Sequence, residues 1–150
     1  MRRCKAAITI AAIMYVAAWF LPVVKGKPTL AQGSIPGWQA FRVALSPIWP
    51  YQDFGYDSVL AAFLGVASAL SNMLFVVAAP LLWRWPVQIA HGAMWSLIVA
   101  VFVNAKWLLD FDGELRIGYY LWASAFLVLA FSAYLAKSEA SAAQSSQVPA

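Results

Sequence analysis

The residues able to do chemistry are few, and their spacing gathers few of them together. Of 150 residues, ten are Lys or Arg, six are Asp or Glu, and there is one histidine, His91, and one cysteine, Cys4. His91 is the one titratable group well inside an apolar stretch, with Gln88 and Trp95 on its face at helical spacing. An ionisable group in such a setting is a candidate for proton or ligand handling. A neutral imidazole there can equally bond to a backbone carbonyl or to Gln88, and this structural reading is favoured. Uncharged polar residues recur inside other apolar stretches: Ser68 and Asn72 in one, Ser96 and Asn104 in another. They could line a polar path, but Asn and Ser within apolar helices more commonly bond one helix to the next. Asp110, Asp112 and Glu114 form an acidic run that lacks the ligand spacing of a calcium loop, so a solvated turn is expected.

Several chemistries fail for want of parts. Quinone-linked thiol oxidation needs cysteine pairs, and one cysteine cannot supply them. Cys4, between Arg3 and Lys5, reads as an unpaired thiol beside a membrane. Bis-histidine haem needs two imidazoles, which only an oligomer contributing His91 from two subunits would provide. Small proton-coupled multidrug carriers depend on a carboxylate within the bilayer, and no Asp or Glu lies inside an apolar stretch. Intramembrane proteolysis needs an aspartate pair or a serine elbow of the GxSG kind, and neither is present. No glycine loop suited to phosphate occurs. No enzyme activity, catalytic residue, metal or cofactor is expected.

The elements that must position these residues follow from composition. The chain is 63% apolar and 11% charged, with mean hydropathy +0.73, whereas water-soluble domains carry about 25% charged residues. The net charge is +4, but the cations stand singly between apolar blocks, which argues against a nucleic-acid partner. Four blocks approach the ~20 residues that cross ~30 Å of hydrocarbon, and backbone groups in lipid must bond internally, so each should be a helix. The spacing predicts an all-α, four-transmembrane-helix bundle over residues 1–137, with helices near 6–24, 58–82, 86–109 and 117–136, and a disordered cytoplasmic tail over 138–150. The first apolar run is longer than the 7–15 residues of a signal-peptide core, so a retained helix is expected. The long first loop contains PGWQAFRVALSP, which reads as a short interfacial helix between Pro36 and Pro47, anchored with its surroundings by Trp38, Phe41, Trp49 and Tyr51.

Helices in lipid associate through small residues and interhelical hydrogen bonds. Gly65, Ser68 and Asn72 share one face of the second helix, and Ala93, Ser96, Ala100 and Asn104 one face of the third. Counting back from the turn at Arg84 predicts that Asn72 meets Ser96 and Ser68 meets Ala100. On the fourth helix Gly118, Ala125 and Ser132 form a weaker small-residue face. Orientation follows from Lys and Arg: the ten cations split five and five between the two sides, but Arg2, Arg3, Lys5, Arg84 and Lys137 lie in short segments, which predicts that both termini are cytoplasmic.

Leu21-Pro22 at the end of the first helix, PGWQAF (Pro36 to Phe41), SNMLF (Ser71 to Phe75) and GYYLWASAF (Gly118 to Phe126) together resemble a loosely defined, uncharacterised type of small bacterial four-helix inner-membrane protein. The resemblance implies a bacterial inner membrane and four helices, and it transfers no activity. The expected role is a non-catalytic one: an accessory subunit, assembly factor or protective protein bound to the lipid bilayer and to another membrane protein or a second copy. The alternative is an oligomeric transporter or channel with a polar path near Asn72, Ser68 and His91.

Overall fold

The computed structural model describes residues 2–25, 33–50, 55–110 and 114–145. In chain order the elements are α1 (Arg2–Phe20), β1 (Pro22–Lys25), β2 (Ser34–Pro36), α2 (Gly37–Ala44), α3 (Val59–Arg84), α4 (Pro86–Asp110) and α5 (Ile117–Ser145). The chain is mostly helical, and α1, α3, α4 and α5 are long and apolar enough to cross a membrane.

Several features depart from the sequence reading, and the first helix already begins at Arg2 rather than residue 6. α1 ends at Phe20 rather than Val24, because Pro22 lacks an N–H and bars Leu21 from helical geometry. Residues 22–25 instead form β1, so the fold is not purely α. β1 pairs antiparallel with β2 through Val24–Ile35 and Lys25–Ser34. Its other edge is held by the segment before α5, where the Lys25 N–H donates to the Glu114 carbonyl at 2.9 Å and the Arg116 N–H to that of Val23 at 2.8 Å. Lastly, α5 continues to Ser145, so residues 138–145 of the expected disordered tail are helical, and 146–150 lie outside the described residues. The sequence there is rich in alanine, the strongest helix former, and the Glu139 carboxylate accepts from the Arg3 backbone N–H at 3.2 Å.

That contact brings the two termini to one end of the bundle. Lys5 Nζ lies 5.1 Å from the centre of the Trp83 ring, so the α3–α4 turn is at this terminal end too. The β1–β2 pair and α2 occupy the opposite, hairpin end. α5 packs along both α1 and α4, while α3 packs mainly on α4 and touches α1 little. Buried residues follow alternating steps of three and four: Gly65, Ser68, Asn72, Phe75 and Leu82 on α3, and Ala90, Leu97, Ala100 and Asn104 on α4. This is the seam of helices crossing at a shallow angle. Leu82, Leu97, Phe126 and Leu129 are fully buried along it.

The expected α3–α4 register is displaced by about one turn. Ser68 bonds to Asn104, not Ala100, and Ser96 is exposed on the outer face instead of meeting Asn72. Helical side chains lean toward their own N-terminus. In an antiparallel pair the two leans oppose, so Ser68 reaches a partner further along α4 than equal distances from the turn suggest. The seam steps from Ala93 to Leu97 and leaves Ser96 outside.

Candidate functional site: a cavity at the hairpin end

At the hairpin end α2 packs on both α1 and α3. Two glycines seat it. At Gly37 a Cβ would overlap the Ala18 carbonyl oxygen and come within 2.8 Å of Trp19 Cα, so only glycine lets α2 rest on α1. At Gly65 a Cβ would collide with Tyr56, reaching 2.6 Å from Cζ. The Tyr56 hydroxyl, held over Gly65, donates toward the carbonyls of Val43 and Ala44, each at 3.4 Å, and so ties α2 to α3. Phe41 completes the seat, its ring 5.3 Å from that of Trp19. Phe41 is therefore an inward contact and not the interfacial anchor its sequence position suggested. Trp38 and Trp49 are exposed, with the Arg42 guanidinium 3.8 Å from the Trp49 ring centre. Tyr51 lies outside the described residues.

Beneath α2 is a cavity of about 440 Å³, within the range of small-molecule sites. Its walls are apolar and aromatic, including Trp19, Phe41, Trp107, Tyr119 and Trp122. Lys25, Lys106 and Asp57 also line it. Ser68, Asn72 and Asn104 form its polar part, and their bonds are set by two tryptophans. An indole N–H can only donate. Trp107 Nε1 donates to Ser68 Oγ at 2.9 Å, so the Ser68 hydroxyl turns to donate to Asn104 Oδ1. The Asn104 amide donates to Ser71 Oγ at 3.1 Å and to the Ala100 carbonyl at 2.7 Å. Trp122 Nε1 donates to Asn72 Oδ1 at 2.9 Å, and the Tyr15 hydroxyl donates to the same oxygen at 3.1 Å. The Asn72 amide donates to the carbonyls of Ser68 and Ala69 at 3.3 and 3.2 Å. Tyr119 donates to the Asn104 carbonyl at 2.9 Å. Every buried donor in this set is engaged, as a low-dielectric interior demands.

Toward the terminal end the cavity is blind. Its lining reaches no further than Ala18, Asn72, Asn104 and Trp122 on the four long helices. Beyond that level Tyr15 stacks on Phe75 with ring centres 4.1 Å apart, Phe75 lies 5.1 Å from Phe126, and Leu129 and Leu82 fill the seam.

Of the residues singled out from sequence, the cavity draws together Ser68, Asn72 and Asn104, while Gly65 holds Tyr56 beside it. Ala100 contributes a carbonyl and is buried, and Ala93 is half-buried against the core. Gln88 and His91 stand on the outer face of α4, the His91 ring edge-on to Trp95 at 6.4 Å, away from the cavity. Sequence reasoning missed Tyr15, Ser71, Trp107, Tyr119 and Trp122. Their signal was available: a Tyr or Trp buried within a span needs a partner for its polar atom, and Asn and Ser were the few acceptors on offer. Compared with protein families, curated proteins and solved structures, the chain matches none of them.

Proposed function

We propose that this is a non-catalytic bacterial inner-membrane protein that works by binding: an accessory or protective factor that holds a ligand in the cavity beneath α2 and engages a partner within the bilayer. The blind cavity carries this reading. It has the volume of a binding site, a built polar wall and no continuation past Asn72. A channel needs a path through, and the stacked Tyr15, Phe75 and Phe126 stand in its way. The partner is another membrane protein or a second copy, met on the outer face of α4, which is the least buried span and carries Gln88, His91 and Ser96 outward. With Arg2, Arg3, Lys5, Arg84 and Lys137 in short segments at the terminal end, both termini are cytoplasmic and α2 lies at the outer interface.

The test uses Ala61→Cys and Ala69→Cys, two small lining positions, in a Cys4→Ser background. A small membrane-impermeant thiol reagent applied to sealed vesicles should label both from the hairpin side only. Labelling from either side of the membrane would replace the binding reading with a transporter or channel.

A further inference from the structure

The hydrogen-bond pattern of the cavity says what polar group it can receive. Along the deep polar wall, the indole N–H groups of Trp107 and Trp122, both amide hydrogens of Asn72 and Asn104, and the hydroxyl hydrogens of Ser68 and Tyr119 are all engaged within the protein. Tyr56 likewise donates to α2. The spare capacity of that wall is made of lone pairs, while the ammonium groups of Lys25 and Lys106 line the cavity nearer its hairpin end. A hydroxyl or side-chain carbonyl oxygen accepts two hydrogen bonds, and among the described residues Ser68 Oγ and Asn104 Oδ1 each accept one, while the Tyr119 oxygen only donates. Asn72 Oδ1 is full, with Tyr15 and Trp122 both upon it.

A ligand whose polar group only accepts, such as a ketone, ether, ester or quinone, would leave its water partners and find no donor at the polar wall. A carboxylate or phosphate brought to that wall would face lone pairs, which is worse, and the two lysines would hold an anion nearer the hairpin end instead. An ammonium group could use lone pairs and aromatic faces, but two lysines, Lys25 and Lys106, line the space against one carboxylate, Asp57. A neutral hydroxyl satisfies every condition: it donates one hydrogen bond, brings no charge, and can carry an apolar body against Trp19, Phe41 and Trp122. Resting on the reading of the cavity as a binding site, we infer that its ligand is an amphiphile that places a neutral hydroxyl on this wall, donating to Ser68, Asn104 or Tyr119. The volume suits a body of roughly fifteen non-hydrogen atoms, if each takes the ~30 Å³ share of a water molecule.

The experiment uses the full chain in phosphatidylcholine nanodiscs, with a terminally brominated decanol and its methyl ether as probes. The two share chain and quencher and differ in the hydroxyl hydrogen. The alcohol should quench tryptophan fluorescence saturably, at about fivefold lower concentration than the ether, the worth of one net hydrogen bond. Equal curves would overturn the hydroxyl assignment and leave the cavity standing as a binding site. No saturable quenching by either probe would overturn both. Ser68→Ala removes the acceptor of the Trp107 indole and so frees a donor; the preference should shrink or invert toward the ether, and an undiminished preference for the alcohol would also overturn the assignment. Trp107→Phe, which removes that donor and frees a second lone pair on Ser68, should keep the preference for the alcohol, and losing it counts against the proposal. Adding diacylglycerol to the nanodiscs separates the sources: competition with the alcohol points to a membrane lipid, and unchanged binding to a small free alcohol.

Discussion

Two asparagines and two tryptophans organise the interior, and their energetics are asymmetric. A buried donor left without a partner costs about 1–3 kcal/mol, more than a formed hydrogen bond contributes. Asn72 Oδ1 serves Trp122 and Tyr15 together, so Asn72→Ala strands two donors at once. It is expected to destabilise the bundle by about 2 kcal/mol or more, read as unfolding in mixed detergent micelles. Ser96→Ala, at a site the sequence pattern placed on the same interface, should stay within about 0.5 kcal/mol because Ser96 is exposed. Equal losses would mean that Ser96 is packed against a neighbour after all. His91 stands with Ser96 on the outer face of α4. Being the sole histidine in an apolar stretch says nothing about which side of the helix faces the bundle, and here the polar interior is built from uncharged groups.

At the scale of elements, α2 is seated where two glycines let rings and backbone come close, and the fit is testable as a coupling. Gly65→Ala alone pushes a methyl group into the Tyr56 ring and loosens the hydroxyl contacts to Val43 and Ala44. Tyr56→Ala alone loses the same contacts and the packing. Once the ring is gone the added methyl has nothing to strike, so the double variant should be less destabilised than the two single losses combined, by about 1 kcal/mol. Strict additivity would separate Gly65 from Tyr56. The same elements show what was legible in the sequence. The four long helices were, because ~20 apolar residues leave the backbone one way to satisfy itself in lipid. The short helix after Pro36 was legible from its prolines. β1 was not, since four residues became a strand through partners at Ile35 and Leu115, remote in the chain. Nor was the cavity, whose walls come from every helix and from β1; periodicity reports the face a helix buries and not the space left between faces. The aromatic residues of α2 read as membrane anchors, and Phe41 turned inward because Gly37 fixes the helix on α1.

For the molecule as a whole, the bundle's ends decide which compartment the cavity serves. The bond from Arg3 to Glu139 and the approach of Lys5 to Trp83 put both termini and the α3–α4 turn at one end, with the cavity at the other. Flanks of the long helices are richly apolar, with Phe20, Phe63, Phe102 and Leu109 all strongly exposed, as lipid contact requires. Nothing in that apolar surface prefers one direction across the bilayer, so orientation rests on cations near the spans. Arg2, Arg3, Lys5, Arg84 and Lys137 lie at the terminal end, and in the sequence Lys25, Lys27, Arg42, Lys106 and Arg116 make up the opposing set. With the numbers balanced, the close-set N-terminal trio is expected to decide the orientation. A C-terminal reporter active only in the cytoplasm should therefore be active on the wild-type chain, leaving the cavity open to the outer side. Replacing Arg2, Arg3 and Lys5 by glutamine leaves two cations against five, and a substantial share of the chains should then insert inverted and lose reporter activity. An inactive wild-type reporter would turn the cavity toward the cytoplasm, and an unmoved triple variant would shift control of orientation to Arg84 and Lys137.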